Sequence, residues 1–162
     1  MRLGIEFFDR AADVVAREMV GKRLVHRRKI AAITATEAYF ADGDGASHLQ
    51  QTQKAKRARE AFARGPGTIY IHFNHGWHCM DLIAGNGSVL LCAVALPAGK
   101  GPHKALVALG IEKDLHTVRV SDVDSPVWLE DGPLIGNGLV VGPRNGVKAA
   151  SELPLRFEVV ND

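Results

Sequence analysis

An acid, a phenol and an imidazole lie close together in the stretch TEAYFADGDGASH, residues 36–48. Glu37 and Tyr39 end an apolar run, and a loop of small residues leads from there to His48. A carboxylate in a partly desolvated cleft can activate a water molecule by accepting its proton. An acid at the end of an apolar strand is more often a solvated edge residue or an ion-pair partner, so this stretch alone leaves both interpretations open.

A second group of rings follows in GTIYIHFNHGWHCMD, residues 67–81. Tyr70 and His72 are two positions apart, as are Glu37 and Tyr39, and side chains at i and i+2 share one face of a strand. Two such strands facing each other would hold a flat ligand such as a nucleobase, whose stacking contributes about 1–3 kcal/mol. The alternative is that these rings are ordinary core or surface residues.

The segment Asn74-His75-Gly76-Trp77 has the composition of a hairpin tip. A side chain on a protruding hairpin can enter a base stack and fill the gap left by an extruded nucleotide. We expect His75 to take this role and Trp77 to fold back into the core.

The elements that must position these side chains are short strands separated by turns, with a few helices. The patterns predict helices over 8–20, 53–63 and 102–109, strands over 29–39, 68–73, 77–83 and 88–96, and a turn at 136–138. We expect an α+β fold, a single domain over residues 1–162. A curved antiparallel sheet would carry a protruding hairpin and a few flanking helices.

Composition limits the class of protein. The chain has 162 residues, 46% of them hydrophobic and 23% charged, which is typical of a globular protein. No apolar run approaches the ~20 residues that span a bilayer. Acids near the N-terminus argue against a secretory signal, so we expect a cytoplasmic protein. Cys79 and Cys92 form no CxxC pair, which argues against a disulfide scaffold.

The formal net charge of +2 is unevenly distributed. Residues 53–64 carry five basic side chains against one acid, and a second basic run occupies 22–29. A lone basic cluster is usually solvated surface. Two clusters that flank residues 36–48 favour a polyanionic partner such as DNA.

Several stretches together carry a resemblance to a known family. They are TEAY with its loop to SH, PGTIYIHF, HGWHCMD, VLLCAVALPAGKGPHKALVALGI, PVWLEDGPL, GPRNGV, LPLRFEVV and the N-terminal EFFDRAADVVAREMVGKRLV. This combination resembles the alkyladenine (3-methyladenine) DNA glycosylase family, the single-domain α+β type. The resemblance covers nearly the whole chain.

The resemblance implies a monofunctional base excision repair enzyme that acts as a monomer. Such an enzyme flips an alkylated or deaminated purine out of double-stranded DNA and hydrolyses its N-glycosidic bond. It needs no metal or cofactor, and it works in the bacterial cytoplasm or the eukaryotic nucleus. An alkylated purine carries a positive charge and leaves readily, and a nearby carboxylate would stabilise the oxocarbenium-like transition state.

The resemblance also implies a role for each matching residue. Glu37 would deprotonate the attacking water, while Tyr39 and His72 would enclose the flipped base. His48 and Asp81 would also contact the base. The residues expected at the DNA backbone are Arg57, Arg59, Lys104 and Arg144.

Four positions depart from the family pattern. Cys92 stands where the family has an arginine, Asp81 where it has an asparagine, and His72 and His75 where it has tyrosines. An acid at position 81 would reject acceptor groups on a purine edge and would favour donors or positive charge. We therefore expect altered efficiency or lesion range, and a catalytically weak or silent DNA-binding relative is the alternative.

A zinc site is a further alternative, since His and Cys side chains crowd two adjacent predicted strands. They are His72, His75, His78, Cys79 and Cys92, together with Asp81. A hairpin about residues 85–87 would place Cys79 roughly opposite Cys92. The histidines fall on both strand faces and no known zinc spacing occurs, so we expect no metal.

Overall fold

Eight strands form one antiparallel sheet in the computed structural model, which describes residues 1–133 and 138–160. The strands are β1 (Arg23–His26), β2 (Lys29–Phe40), β3 (Ile69–Asn74), β4 (Trp77–Ala84), β5 (Gly87–Val94), β6 (Val127–Glu130), β7 (Leu139–Gly142) and β8 (Arg156–Val159). The helices are α1 (Ile5–Phe8), α2 (Ala12–Met19), α3 (Ala55–Arg64) and α4 (Pro102–Leu109). The predicted α+β class is confirmed. Most of the turn predicted at 136–138 lies outside the described residues.

The long strand β2 is the centre of the sheet. The strand order is β3-β4-β5-β2-β1-β6, and β8, beside β7, also pairs with β2. Glu37 pairs with Leu90 of β5 and with Arg156 of β8. A register irregularity at Ala35 precedes this point, where a bulge re-aims the side chains that follow. Backbone ladders on both sides therefore fix the position of Glu37.

Side-chain alternation gives the sheet two different faces. One face is apolar and forms the main core, with Ile69, Ile71, Met80, Leu82, Val89 and Leu91 among its residues. The opposite face carries polar side chains, and these include Glu37, Tyr39, Tyr70, His72, Asp81 and Arg156. All the predicted chemistry of the strands thus lies on one face.

Helices cover both faces. α2 and α4 pack on the apolar face, where the Thr36 hydroxyl donates to the Ala16 carbonyl at 2.7 Å. α3 packs on the polar face, where the small side chains of Ala58 and Ala61 let it approach Tyr70 closely. Within the described residues, none of the helices has the length and apolar character needed to cross a membrane.

The prediction of a continuous helix over 8–20 is wrong for the first residues of that range. α1 ends at Phe8, and α2 begins only at Ala12. The break is stabilised from elsewhere in the chain, because the Asn86 side chain accepts from the Ala12 N–H at 2.8 Å and caps α2. Asn86 belongs to the β4–β5 turn, so no local pattern could reveal this cap.

A two-residue loop joins β3 to β4. His75 and Gly76 both have positive φ, 50° and 80°, which is the pattern of a type I′ turn. The twist of such a turn matches that of the flanking strands. Histidine is among the residues that tolerate this left-handed conformation. The predicted hairpin is present, and His75 is exposed at its tip.

Candidate active site

A row of side chains crosses the polar face of the sheet from β3 to β8. The register places Tyr70 opposite Asp81, Asp81 opposite Leu90, Leu90 opposite Glu37, and Glu37 opposite Arg156. Directly opposed residues in antiparallel strands have Cβ atoms about 4.5–5.5 Å apart. Four strands thus bring two acids, a phenol and a guanidinium into one line.

The Glu37 carboxylate is 2% exposed and receives three hydrogen bonds from the residues that the structure describes. Oε1 accepts from the Asn145 backbone N–H at 2.8 Å and from Arg156 Nη1 at 3.1 Å. Oε2 accepts from the Tyr39 hydroxyl at 2.7 Å. An ionised carboxylate has about four acceptor positions, so Oε2 keeps one position for a further donor.

Glu37 lines a cavity of about 380 Å³. The walls include Tyr39 and His48, while Lys54 and Lys100 add two cationic side chains. A smaller cavity of about 60 Å³, the slot, shares Tyr39 and His48 with the larger one. The buried acid therefore faces a partly open cavity and not the outer surface of the protein.

Tyr39 is held between an acid and a buried guanidinium. Its hydroxyl donates to Glu37, and the Arg144 guanidinium stacks over its ring at 4.6 Å from the centroid. Burial, followed by the charge of Glu37, raises the pKa of Tyr39 far above its usual range. Tyr39 therefore stays a neutral hydrogen-bond donor at every physiological pH.

Arg144, which we expect at the DNA backbone, is buried in an ion pair in this structure, and its contact with DNA stays a prediction. Arg144 is 4% exposed. Its guanidinium donates to the Asp44 carboxylate from Nη1 at 2.6 Å and from Nη2 at 3.0 Å. Nη1 also donates to the Ala38 carbonyl at 3.1 Å. In this structure Arg144 stabilises the fold, and its guanidinium supports the Tyr39 ring by stacking on one of its faces.

Asp44 organises the small-residue loop, a role that the sequence interpretation missed. Its carboxylate accepts from the backbone N–H groups of Phe40 and Ala46 at 3.0 and 3.1 Å. Burial alone would raise the pKa of Asp44, but the hydrogen bond from Arg144, the backbone N–H groups of Phe40 and Ala46 and the Arg144 charge together outweigh burial and lower the pKa. The Asp-Gly-Asp-Gly sequence was the available signal, since Asp side chains bond nearby backbone groups in turns.

His48 begins a short 3-10 turn at the end of that loop, where Ser47 caps the turn. Its Nδ1 shares a hydrogen bond with the Tyr70 hydroxyl at 2.9 Å. Burial lowers the pKa of His48 to about 4, so the ring is neutral at physiological pH. A neutral ring with one nitrogen committed to Tyr70 keeps its other nitrogen for a ligand.

The slot contains a chain of buried polar groups. His72 Nε2 lies 2.8 Å from Asp81 Oδ1, and the Ser88 hydroxyl donates to Asp81 Oδ2 at 2.6 Å. The His48 ring stands edge-on against His72, with centroids 4.5 Å apart. His48 and His72 thus touch each other and form one wall. The enclosure of a base between Tyr39 and His72 stays a prediction.

Cys92 is a buried free thiol that also lines the larger cavity. Burial, with the charge of Glu37 as the next cause, raises the pKa of Cys92 well above its ordinary value. A neutral thiol cannot hold a phosphate or a carboxylate. The guanidinium beside Glu37 comes instead from Arg156 on β8.

Comparison with known proteins identifies the family of this chain. A model of the methylpurine-DNA glycosylase family matches residues 6–162. The chain belongs to the methylpurine-DNA glycosylase family. It is 32% identical to the Homo sapiens DNA-3-methyladenine glycosylase over 98% of this chain and 65% of that protein. The Mus musculus DNA-3-methyladenine glycosylase is 31% identical over 98% of this chain and 59% of its own length.

A bacterial relative from Chlorobaculum parvum is 32% identical over 96% of this chain and 86% of its own length. The chain therefore spans less than two thirds of the mammalian relatives and most of the bacterial one. The resemblance inferred from the sequence motifs is confirmed at the level of the family.

The cationic side chains of this methylpurine-DNA glycosylase family member differ in their exposure and in their distance from the cavity. Arg59 and Lys104 are exposed, and Lys54 and Lys100 line the cavity. Arg57 is partly buried, and its Nε donates to the Ile71 carbonyl at 2.6 Å, which ties α3 to the edge strand β3. Contacts of Arg57, Arg59 and Lys104 with DNA stay predictions.

The hairpin tip of this family member carries exposed rings. Trp77 is 58% exposed, so the expectation that it folds into the core is wrong. Its ring instead packs on His103 with centroids 4.5 Å apart. Trp77 begins β4 next to the turn, and its half-exposed ring lies against the first turn of α4.

The zinc alternative gains no support from the arrangement. In the described part of the chain, no three His, Cys, Asp or Glu side chains form a group able to hold a metal ion. The β4–β5 ladder ends at the pair of Asp81 with Leu90, so Cys79 lies beyond it and is not paired with Cys92. Both cysteines are free.

Proposed function

We propose that this chain is a monofunctional DNA glycosylase of base excision repair that acts as a monomer on double-stranded DNA. Its substrate is an alkylated or deaminated purine swung out of the helix into the larger cavity. The observation that carries the proposal is the buried Glu37 carboxylate, with one free acceptor position, at the wall of that cavity.

The proposed reaction uses the acceptor position of Glu37 Oε2 that the Tyr39 hydroxyl does not occupy. A water bound to Oε2 attacks C1′ of the nucleotide, and Glu37 takes its proton. The C1′–N bond breaks, and its electron pair leaves with the base. A cationic alkylated purine thereby leaves as the neutral base, and a neutral deaminated purine leaves as an anion that takes a proton from solvent. The products are the free purine and an abasic sugar with a hydroxyl at C1′. A negative carboxylate also stabilises the positive charge that develops on the sugar.

The surroundings of Glu37 suit this role. The donors at Oε1 come from a strand and from a backbone N–H, so they fix the orientation of the carboxylate. The Tyr39 hydroxyl occupies the other position of Oε2. Orientation of a catalytic group by such contacts lowers the entropic cost of reaching the transition state.

His75 is the side chain best placed to fill the gap left by the flipped nucleotide. It stands exposed at the tip of the β3–β4 hairpin, and Asn74 at the base of that turn lines both cavities. Unstacking a base costs a few kcal/mol, least for a lesion that already pairs poorly. A ring inserted at the gap would offset part of this cost.

Glu37→Gln tests the proposal. We expect the single-turnover rate of base release from methylated duplex DNA to fall by about 10²–10⁴-fold, the usual contribution of a general base. Binding of lesion DNA should remain. Glu130→Gln is the matched control, because this acid on β6 pairs with Arg23 of β1 and lines neither cavity, so the rate should be unchanged.

Two outcomes would contradict the proposal. If Glu37→Gln releases bases as fast as the parent, Glu37 is not the general base. If the parent chain binds lesion DNA but releases no base from any lesion, the silent DNA-binding alternative is correct.

A further inference from the structure

We infer that the slot selects purines that carry positive charge over neutral purines, and that the buried Asp81 carboxylate makes this selection. The inference rests on the proposed function, since it names the class of damaged base that the same site prefers. The supporting observations are the charge state of Asp81, the residues around it and a buried nitrogen of His72.

Asp81 is a buried anion. It is 5% exposed, and each carboxylate oxygen meets a donor, from His72 Nε2 and from the Ser88 hydroxyl. Burial alone would raise its pKa, but the interactions with His72, His48 and Ser88 together outweigh burial and lower the pKa. A carboxylate supported in this way stays ionised near neutral pH.

The charge of Asp81 reaches the other walls of the slot. Burial is the main cause of the raised pKa values of Tyr70 and Cys79, and the Asp81 charge adds to the shift in both. The residues that line the slot are Tyr39, Ser47, His48, Phe62, Tyr70, His72, Asn74, Cys79, Asp81, Ser88, Leu90 and Pro102. None of these described residues is a lysine or an arginine.

The cations near the site lie elsewhere. Arg156 bonds Glu37 and Glu158, while Lys54 and Lys100 line the larger cavity only. A base that enters the larger cavity past Tyr39 and His48 would therefore present its far edge to the Asp81 carboxylate, beside which no lysine or arginine lines the slot. A cation is favoured there, and a neutral base gains much less.

His72 gives the slot a second reason to prefer a cationic purine, because it offers a buried hydrogen-bond acceptor. Its Nε2 faces the Asp81 carboxylate and so carries the proton, which leaves Nδ1 as the acceptor when the ring is neutral. Nδ1 is buried and has no hydrogen-bond partner among residues 1–133 and 138–160. An N–H group on the edge of a base would satisfy it. Protonated or alkylated purines present both positive charge and N–H donors.

The test compares a cationic lesion with a neutral one. 7-Methylguanine and hypoxanthine are both 6-oxopurines, and only the first is a cation in DNA. We measure single-turnover release of each from otherwise identical duplexes by the parent and by Asp81→Asn, which keeps the size and one acceptor oxygen. For each protein we divide the 7-methylguanine rate by the hypoxanthine rate. The difference in leaving ability between the two bases is the same in both proteins, so it cancels when the ratio of the parent is compared with that of Asp81→Asn.

We expect Asp81→Asn to lower the 7-methylguanine to hypoxanthine rate ratio by about tenfold, as for loss of one nearby opposite charge. Ser88→Ala is the matched control, because it removes a hydrogen bond to Asp81 and keeps the charge. Its ratio should stay close to that of the parent. An unchanged ratio in Asp81→Asn overturns the inference, and Asp81→Ser replaces that variant if it does not fold.

Failure of the proposed function is a separate outcome. If the parent releases neither base, the same preference is measured as the ratio of binding affinities for the two duplexes in the Glu37→Gln background. A ratio that favours 7-methylguanine and is lost in Asp81→Asn supports charge selection. A ratio that Asp81→Asn leaves unchanged overturns it.

Discussion

Arg156 and Glu37 face each other across two paired strands and form an ion pair, with 3.1 Å between Nη1 and Oε1. The second nitrogen of Arg156 bonds Glu158 at 3.2 Å, which fixes the plane of the guanidinium. The family pattern expects an arginine from β5, and this chain has Cys92 there. The guanidinium at the carboxylate is therefore supplied from the opposite neighbour, β8.

Arg156→Ala should slow base release. Without the donor at Oε1, Glu37 loses one of the contacts that orient it, and we expect the single-turnover rate to fall by about tenfold or more, since a hydrogen bond to a charged group contributes about 1.5–3 kcal/mol. Lesion binding should change little. Arg156→Lys should restore part of the rate, because it keeps the charge but loses the planar fork. If Arg156→Ala lowers the stability of the protein but the folded variant releases bases as fast as the parent, the role of Arg156 is purely structural.

Arg144→Met should destabilise the fold. It leaves the Asp44 carboxylate buried without its partner, and breaking a buried pair costs about 3–5 kcal/mol. Urea unfolding of the parent and the variant measures the difference. The double variant Arg144→Met with Asp44→Asn should recover part of the loss, because no buried charge remains. A loss below about 1 kcal/mol in the single variant would show that the ion pair contributes little.

Acid should weaken the parent protein through Asp44. Its pKa is lowered in the folded state, so its contribution to stability is fully present above the ordinary value of 3.8 and is lost as the pH falls through the lower folded value. Asp81 acts in the same direction. Urea unfolding at successive pH values should show a smaller acid loss in the Arg144→Met, Asp44→Asn double variant. An equal loss would assign the acid sensitivity to other groups.

His75→Gly should weaken binding to lesion DNA without damaging the hairpin. Glycine adopts positive φ freely, so the substitution removes the ring and relieves the turn at φ 50°. We expect affinity for lesion duplex to fall about tenfold, while thermal stability is unchanged or slightly higher. His75→Tyr should bind at least as well as the parent. Equal affinity of His75→Gly and the parent would show that another side chain fills the gap.

The salt dependence of DNA binding should identify the phosphate contacts. Each cation that neutralises a phosphate contributes about 0.9 to the slope of log affinity against log salt. Arg59→Ala and Lys104→Ala should each lower the slope by about that amount. Arg17→Ala is the control, because Arg17 is exposed on α2, and no residue of α2 lines the larger cavity or the slot. A slope unchanged by Arg59→Ala and Lys104→Ala would remove both residues from the DNA interface.

The sequence by itself determined which side chains share a strand face and where the hairpin turns. Glu37 and Tyr39, like Tyr70 and His72, lie together because the period of a strand is two residues. The His75-Gly76 pair predicted the tight turn, since the backbone conformation there depends mainly on the residues themselves. These features are local, so local patterns suffice to predict them.

Only the tertiary structure decided which distant groups meet. Glu37 and Arg156 are 119 residues apart, and Arg144 and Asp44 are 100 apart, so their pairing depends on the register of non-neighbouring strands and loops. Whether an arginine is buried in an ion pair or left for a phosphate depends on how much water the packed chain excludes around it. Residue type and spacing do not show how far water is excluded around a side chain. For this reason Arg144 is buried and Trp77 is exposed, against our expectation from the sequence.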